Sequence, residues 1–314
     1  MQNPVLLHLS SHRPLSLRAI DELTTVEPGE VLEMATVAEV LETVESTPGC
    51  VGLLPVEDSF EGENTAVLDR LVFGTSGVSV SEEVVVAETL DAFRTRSDGP
   101  VEARVAISAP RAIEHCHRFI RENGLVTRFT GSTQEACRIV AESGDRSLVA
   151  LAPREVAETF GLVPVAASVD DMPEARTRFF LVGQHVAAPT GHDKTTLVLT
   201  QPDDRSGNLR RFLEAFATHG VNLVSLHSRP LRSNAEYCFL VTAEAHLTEP
   251  RMSAAIEELW AAGAQIKVVG SYPHWGGDQV VAAFAEPPAS VGRQSTEGER
   301  AAVLGGPGAT PARS

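Results

Sequence analysis

Short apolar runs alternate with amphipathic stretches over residues 1 to about 186 of this chain. In the amphipathic stretches the apolar residues recur at helical spacing, and Pro110, Ser132 and Pro153 stand where helices begin. This alternation predicts α/β layers with largely parallel sheets. The predicted strands are residues 50–56, 104–108 and 148–152, and the predicted helices include residues 37–44, 110–124 and 133–141.

A small polar segment with Pro and Gly, residues 187–193, separates this part of the chain from a second pattern. After it, two helix-spaced stretches lie among four strand-like runs. The order strand, helix, strand, strand, helix, strand is that of a ferredoxin-like fold. The strands are predicted at residues 195–200, 221–226, 237–242 and 266–269, and the helices at residues 209–216 and 252–260.

The end of the chain differs in composition from everything before it. Residues 274–314 are rich in Gly, Pro, Ser and Ala, which is typical of a disordered tail. Within them, residues 279–284 (QVVAAF) are compatible with a short helix.

Composition narrows the classes of partner. A chain of 314 residues is long enough for two domains, and its formal net charge is -16. Such a surface repels nucleic acid and anionic membranes, so we expect neither as a partner. An anionic substrate would need arginines clustered at its site.

The cysteines and the N-terminal segment indicate a cytoplasmic protein. Cys50, Cys116, Cys137 and Cys238 are far apart and lack metal-site spacing, so we predict free buried thiols and no metal centre. The N-terminus lacks a basic start followed by an apolar run, and no apolar stretch reaches the ~20 residues of a membrane span.

Acidic and hydroxyl side chains follow the strand predicted at residues 50–56. Glu57, Asp58 and Ser59 stand at its carboxyl end, where α/β folds place ligand sites. An acidic turn that caps a helix beginning near Asn64 would explain the same residues. The sequence of this loop by itself leaves both interpretations open.

Four motifs occur in order along the chain. They read LLPVEDSFEGENTAVLDRL at residues 53–71, RTRFFLVG at 176–183, GVNLVSLHSRP at 220–230 and GSYP at 270–273. In this order the chain resembles the prephenate dehydratases that carry a C-terminal ACT module. The resemblance extends over about residues 36–273.

This resemblance implies a domain organisation and an activity. It implies a two-lobed, periplasmic-binding-protein-like catalytic region at residues 1–186, a linker at 187–193, a ferredoxin-like ACT regulatory domain at 194–273 and a tail at 274–314. The implied enzyme is a lyase that converts prephenate to phenylpyruvate, carbon dioxide and water without a cofactor. A homodimer or higher homo-oligomer, with L-phenylalanine as effector, is also implied.

The same resemblance assigns roles to catalytic and substrate-binding residues. Thr177 would polarise or protonate the leaving hydroxyl, Arg178 would hold a carboxylate, and Phe179 would pack the apolar wall. The remaining assignments are Glu57 and Ser59 as catalytic residues, and Asp58, Ser132 and Thr133 as substrate-binding residues.

A second Thr-Arg-Phe occurs at residues 127–129. It is not followed by the strand, linker and regulatory module that follow the copy at residues 177–179. We therefore interpret the copy at residues 127–129 as a coincidence.

The resemblance also assigns an effector site in the C-terminal module. A glycine-containing turn would offer backbone amides to the carboxylate of an amino acid, and a neighbouring loop would close over it. The assigned residues are Ser206, Gly207, Asn208, Leu209, His227, Ser228, Arg229 and Pro230.

Several positions depart from the usual family pattern. Residues 10–15 replace a glycine-rich loop, Ala109 stands where His is usual, and Glu174 stands where Asn is usual. His12 and Arg13 either supply positive charge in place of the glycine loop or lie in a solvated loop. Two alternatives stay open: a non-aromatising prephenate decarboxylase and a non-catalytic, amino-acid-binding regulator.

Overall fold

The computed structural model describes residues 3–96, 102–201, 206–231 and 237–281. Its strands are β1 (Val5–Leu9), β2 (Glu30–Met34), β3 (Cys50–Asp58), β4 (Gly62–Glu63), β5 (Ser79–Ala87), β6 (Asp91–Arg94), β7 (Val105–Ser108), β8 (Val126–Phe129), β9 (Leu148–Ala152), β10 (Val163–Ala166), β11 (Arg176–Gly183), β12 (Asp193–Thr200), β13 (Leu223–Pro230), β14 (Tyr237–Ala243) and β15 (Gln265–Pro273). Its helices are α1 (Arg13–Asp21), α2 (Val37–Ser46), α3 (Thr65–Phe73), α4 (Pro110–His115), α5 (His117–Glu122), α6 (Thr133–Ser143), α7 (Arg154–Thr159), α8 (Asn208–Thr218) and α9 (Pro250–Ala261).

The strands form two sheets, which confirms the predicted α/β fold with two lobes. The larger sheet has the order β13-β14-β12-β15-β5-β11-β3-β1-β2, with β4 paired to β3, and the smaller sheet has the order β10-β6-β9-β7-β8. The C-terminal elements follow the predicted order β12-α8-β13-β14-α9-β15.

The expectation of largely parallel sheets is wrong for the larger sheet. Strand β1 is parallel to β2 and β3, but β11 is antiparallel to both of its neighbours, β3 and β5. The chain leaves the larger sheet after β5 and returns to it as β11. The two crossing segments bind each other, because Glu88 N donates to Ala175 O (2.9 Å) and Val169 N donates to Leu90 O (2.8 Å).

Helices cover both faces of the larger sheet. Helix α2 begins with a capping box in which the side chains of Thr36 and Glu39 each bind the other residue's backbone amide. It buries Val40, Leu41 and Val44 in a core shared with α3. Helix α1 packs on the opposite face, where Leu15 and Ala19 join a core that contains β1, β3, β5 and β11. This arrangement fixes the strand ends from which the site is built.

The helix predicted at residues 110–124 is divided at Cys116 into α4 and α5. The cause is Asp171, which lies on the second crossing segment. Its amide donates to His115 O (2.6 Å), and its carboxylate accepts from the Arg118 amide (3.1 Å). A distant carboxylate therefore caps α5 and ends the continuous helix, which no local pattern shows.

The chain stays attached to the body beyond β15. The Trp275 amide donates to Glu83 Oε1 (2.9 Å), and Arg176 pairs with Asp278 (2.9 Å). The predicted tail boundary at residue 274 thus falls inside a segment with specific contacts. Residues 282–314, which include half of the segment predicted as a short helix, lie outside the described residues. Over the described ranges, no helix has the length and apolar character needed to cross a bilayer.

A single glycine allows the C-terminal module to join the larger sheet. Gly270 on β15 pairs with Val80 on β5 in parallel. A Cβ atom at position 270 would lie 2.5 Å from Val80 Cβ and 2.5 Å from Val80 O. The nearest atoms belong to the backbone and Cβ of Val80, which cannot move aside as the end of a flexible side chain could. The close approach of the two backbones therefore requires glycine.

We predict that Gly270→Ala lowers the stability of the protein by about 1–3 kcal/mol, because the added methyl group must separate β15 from β5. Chemical denaturation measures this loss. Gly183→Ala on β11 is the control, since its added Cβ would meet Val51 Cγ1 at an ordinary 3.5 Å. Equal stability of the two variants would show that the joint between the strands tolerates a side chain.

Candidate active site

A buried threonine hydroxyl lies at the start of β11. Thr177 is 2% exposed, and its Cα partners are Asp58 on β3 and Val86 on β5. Its Oγ1 donates a hydrogen bond to Glu88 Oε2 (3.1 Å). Glu88 follows the last residue of β5, so the end of that strand brings an acid to the hydroxyl.

A guanidinium group joins the two lobes at this hydroxyl. Arg111 is the second residue of α4, and its Nη2 lies 3.0 Å from Glu88 Oε2 and 3.3 Å from Asp58 Oδ1. Asp58 Oδ1 also accepts from the amides of Phe60 (2.8 Å) and Glu61 (2.9 Å). The acidic loop after β3 is therefore both a turn that binds its own amides and one wall of the site.

Thr177, Arg111 and Asp58 border a polar cavity of about 310 Å³. His12, from the 3-10 turn after β1, lies on its wall. Burial, reinforced by the charge of Arg111 and opposed by Asp58, lowers the pKa of His12 to about 4. The imidazole is therefore neutral near pH 7 and adds no positive charge. The cavity is lined by His12, Pro55, Glu57, Asp58, Glu61, Glu63, Asn64, Thr65, Ala66, Arg111 and Thr177.

Burial raises the pKa of two carboxyl groups at this site. The pKa of Glu88 is raised by desolvation, although the positive charge of Arg111 and the hydrogen bond from Thr177 oppose the shift. The pKa of Glu57 is also raised by burial, and the charge of Arg178 opposes that shift. Both acids therefore hold their protons to higher pH than an exposed glutamic acid does.

Ser59 fixes the acidic loop to β11. Its amide donates to Arg176 O (3.0 Å), and the Arg176 amide donates to Ser59 Oγ (3.0 Å). The side chain is buried in these contacts and is absent from the cavity lining. Ser59 thus holds the loop in register, and its catalytic role stays a prediction.

Arg178 lies on the other face of β11, because consecutive strand residues point to opposite sides of a sheet. It borders a second cavity, of about 320 Å³, and binds Glu83 (Nη1, 3.0 Å) and Glu57 (Nε, 3.1 Å). Arg111, which the sequence did not single out, is the guanidinium beside Thr177. Phe179 is fully buried in the core beneath the site.

The predicted helix start at residues 132 and 133 lines a separate cavity of about 410 Å³. Ser132 caps α6 as predicted, and its Oγ accepts from the Glu135 amide (3.0 Å). The 3-10 turn contributes to both cavities, since His12 lines the first while Ser10 and Ser11 line the second. Arg13 itself pairs with Glu33 on the neighbouring strand.

The second Thr-Arg-Phe, at residues 127–129, occupies the edge strand β8 of the smaller sheet. All four residues of that strand are exposed. Its position separates it from Thr177, which lies in the larger sheet.

The residues predicted to bind an effector lie in two places, the turn before α8 and the strand β13. Gly207 has a left-handed φ of +93° and caps α8, so the turn at residues 206–209 leads into a helix N-terminus. His227 Nε2 lies 2.8 Å from Glu63 Oε1, and Arg229 Nε donates to Asp69 Oδ1 (2.8 Å). The hydrogen bond with Glu63 raises the pKa of His227. Ser228 and Pro230 alternate with these residues on β13 and are exposed.

Two site residues, Glu88 and Arg111, were not predicted from the sequence. Glu88 ends a strand and Arg111 begins a helix after Pro110, which are positions where α/β folds place functional groups. Neither position is distinctive in the sequence, because the sequence does not show which strand ends lie together. His12 was considered for its charge, whereas the structure places it in the cavity as a neutral group.

The fold and site define a class of protein: two α/β lobes joined by two crossing segments, with a polar cavity at the strand ends. Residues 16–187 match the family model described as prephenate dehydratase. The chain belongs to the prephenate dehydratase family, as the resemblance of its motifs predicted.

Two curated relatives illustrate the match. A prephenate dehydratase of Amycolatopsis methanolica is 32% identical over 266 residues, which cover 83% of this chain and 84% of the relative. A bifunctional chorismate mutase/prephenate dehydratase of Aquifex aeolicus is 32% identical over 242 residues, or 76% of this chain. The chain spans 65% of the length of that bifunctional relative.

Solved structures share the fold over most of the chain. A prephenate dehydratase from Arthrobacter aurescens, in complex with L-Phe, is 25% identical with a TM-score of 0.75 and covers 89% of this chain and 93% of its own. A protein described as GqqA, a quorum quenching acylase, is 25% identical with a TM-score of 0.71 and covers 87% and 98%.

Glu83, Lys194 and Arg178 form a buried ion cluster next to the site. Glu83 is 2% exposed and binds Lys194 Nζ (2.7 Å) as well as Arg178, while Lys194 is 3% exposed. We predict that Lys194→Met destabilises the protein by about 3–5 kcal/mol, because Glu83 loses one of its two cations inside the protein. Urea unfolding measures the loss.

Lys267→Met is the matched control for this change. Lys267 is the other lysine of the chain, and it donates to backbone carbonyls such as Val72 O (2.6 Å) and not to a buried carboxylate. We expect a smaller loss there, and Glu83→Gln combined with Lys194→Met should recover part of the stability. A cost below about 1 kcal/mol for Lys194→Met would contradict the interpretation.

Proposed function

We propose that this chain converts prephenate to phenylpyruvate, carbon dioxide and water in the cytoplasm, using its own side chains and no cofactor. The observation that carries the proposal is the Thr177 hydroxyl, buried in a polar cavity of a chain that belongs to the prephenate dehydratase family. The four cysteines, all unpaired and buried, suit a reducing compartment.

Dehydration of prephenate needs help at the leaving hydroxyl. Loss of carbon dioxide supplies the electron pair and aromatisation pulls the reaction forward, but hydroxide leaves poorly unless it is protonated or polarised. Thr177 is placed to donate to that oxygen. Arg111 is the candidate for holding a substrate carboxylate, because it stands beside the hydroxyl and a guanidinium can bind carboxylate through two donors.

We assign the second carboxylate of the substrate to the start of α6. The helix start at Ser132 and Thr133 presents backbone amides, and it lines the cavity on the other side of the 3-10 turn. In this arrangement Asp58 and Ser59 keep the loop in place. Glu57 lies on β3 and lines both the cavity at Thr177 and the cavity at Arg178. Arg178 contributes by binding Glu57 and Glu83.

Two other activities remain as outcomes of the assay. A related decarboxylase would remove carbon dioxide without expelling the hydroxyl, and its product would not be aromatic. The similar fold of the protein described as a quorum quenching acylase shows that this architecture supports another chemistry. Ultraviolet absorption and mass identify the product formed from prephenate and so separate dehydration from decarboxylation. If prephenate is not consumed, both reactions are excluded.

We predict that Thr177→Val lowers kcat at least about 10²-fold, because it removes the hydroxyl and keeps the shape of the side chain. Thr127→Val in the second Thr-Arg-Phe is the control and should leave kcat within about two-fold, since residue 127 is exposed on the other sheet. Phenylpyruvate formation under saturating prephenate is the measurement. A larger effect at residue 127 would reverse the assignment of the two motifs.

We further propose that residues 194–273 act as an ACT regulatory domain that binds L-phenylalanine. The Arthrobacter aurescens structure in complex with L-Phe supports this choice of effector. The turn at residues 206–209 offers the amides at the start of α8 to the amino-acid carboxylate. His227, Ser228, Arg229 and Pro230 form the neighbouring strand end.

A homodimer completes this site in our proposal. Strand β13 lies at the edge of the larger sheet, and Val224 and Leu226 are exposed along it. An exposed apolar edge strand is a natural place for a second copy to pair.

We predict that Gly207→Ala weakens L-phenylalanine binding at least about ten-fold in isothermal titration, because a residue with a Cβ is strained at a φ of +93° and the turn must shift. Gly220→Ala is the matched control: Gly220 lies just past the other end of α8, with a φ of +66°. It should cost stability but leave the affinity unchanged. Equal affinities in both variants would remove this turn from the effector site.

A further inference from the structure

We propose that Glu88 supplies the proton that departs with the leaving hydroxyl, passing it through the hydroxyl of Thr177. The proposal rests on the dehydration proposed above and assigns the acid that an alcohol alone cannot provide. Thr177 is then the carrier and Glu88 the source.

The geometry places Glu88 for this task. Its Oε2 lies 3.1 Å from Thr177 Oγ1 and 3.0 Å from Arg111 Nη2. Its amide donates to Ala175 O (2.9 Å), which ties the residue to both crossing segments. The carboxyl group therefore lies beside the crossing segments, next to the hydroxyl that borders the cavity.

The charges around Glu88 favour a retained proton. Burial raises its pKa, and the carboxylates of Asp58 on β3 and Asp170 on the second crossing segment add to the shift. Arg111 on α4 and the hydrogen bond from Thr177 oppose it. The pKa of His12 is lowered to about 4 by burial, so this wall residue is neutral at pH 7. His115 at the end of α4 is shifted in the same way, also to about 4.

The proposed step balances in atoms and charge. The bond from the ring to the departing carboxylate breaks, and its electron pair enters the ring. The bond from the ring to the hydroxyl oxygen breaks, and that oxygen takes the proton of Thr177 Oγ1 and leaves as water. When Glu88 is protonated, its Oε2 donates to Thr177 Oγ1, which reverses the hydrogen bond of the structure and frees the hydroxyl proton for the leaving oxygen. Glu88 gives its proton to Thr177 Oγ1 and becomes a carboxylate beside Arg111. A proton from solvent then restores the acid.

Neighbouring acids serve this role less well. Asp58 Oδ1 accepts hydrogen bonds from two backbone amides and lies 3.3 Å from Arg111 Nη2, so its contacts hold the loop and not the Thr177 hydroxyl. Glu57 has a raised pKa but binds Arg178 on the other face of β11. Of the acids in the described part of the chain, Glu88 is the one that hydrogen-bonds to Thr177.

The first test compares Glu88→Gln with Glu82→Gln. Glutamine keeps the shape and the hydrogen bond but has no proton to give, so kcat should fall about 10²-fold while KM changes little. Glu82 is the matched control: it lies on β5, is 3% exposed and binds Thr24 and Thr25 away from the cavity. The control should keep the wild-type kcat.

The pH profile separates proton donation from a structural role. Because the reaction needs Glu88 protonated, single-turnover rates of the wild-type enzyme should fall as pH rises through the pKa of Glu88. Since burial raises that pKa, this limb lies above the range of an ordinary glutamic acid. Glu88→Gln should lose the limb, and Glu88→Asp, which keeps an acid, should retain it at a reduced rate.

The outcomes distinguish failure of the relay from failure of the proposed reaction. If wild-type protein forms no phenylpyruvate, the proposed function falls. If it does, and Glu88→Gln keeps the wild-type kcat, or the wild-type profile is flat between about pH 5 and 9, the relay falls. Should Glu88→Gln not fold, the wild-type profile and Glu88→Asp decide. Combining Glu88→Gln with Thr177→Val should cost little more than Thr177→Val alone, because both act on one proton.

Discussion

Strand β11 lies between β3 and β5 in the middle of the larger sheet, antiparallel to both. Its alternating side chains divide the chemistry of the protein into two faces. Thr177 reaches the polar cavity and the acid Glu88, while Arg178 reaches the buried carboxylate of Glu83 on the opposite face. A register shift of one residue would exchange these faces, so the paired strands, the ion cluster and the loop fixed by Ser59 all hold one alignment.

Electrostatics gives a physical reason why a chain with a net charge of -16 could bind the anionic substrate that we propose for it. The cavity wall carries several carboxyl groups, and Arg111, which also lies on the wall, pairs with Asp58 there and with Glu88 beside it. Burial makes protonation of Glu88 easier, which reduces the negative charge further. The same burial that would permit acid catalysis thus also lowers the repulsion of a dicarboxylate.

The C-terminal module is connected to the site by contacts within one chain. Gly270 joins β15 to β5 in a continuous sheet. His227 binds Glu63, which lies on β4 next to Glu57 and Asp58, and Arg229 binds Asp69 on α3. A shift of β13 would therefore act on the loop that forms the cavity wall, which offers a physical route for coupling between an effector and the catalytic residues.

The sequence by itself determined the two patterns of the chain, the element order of the C-terminal module, the cap at Ser132, and the family. These follow from local periodicity, capping residues and contiguous motifs, which are properties of neighbouring residues. Only the tertiary structure showed that Arg111 and Glu88 meet Thr177, that Arg178 faces away, and that Asp171 divides the helix at residue 116. These contacts join residues from different strands, helices and crossing segments, so their positions depend on the whole fold and not on any one stretch of sequence.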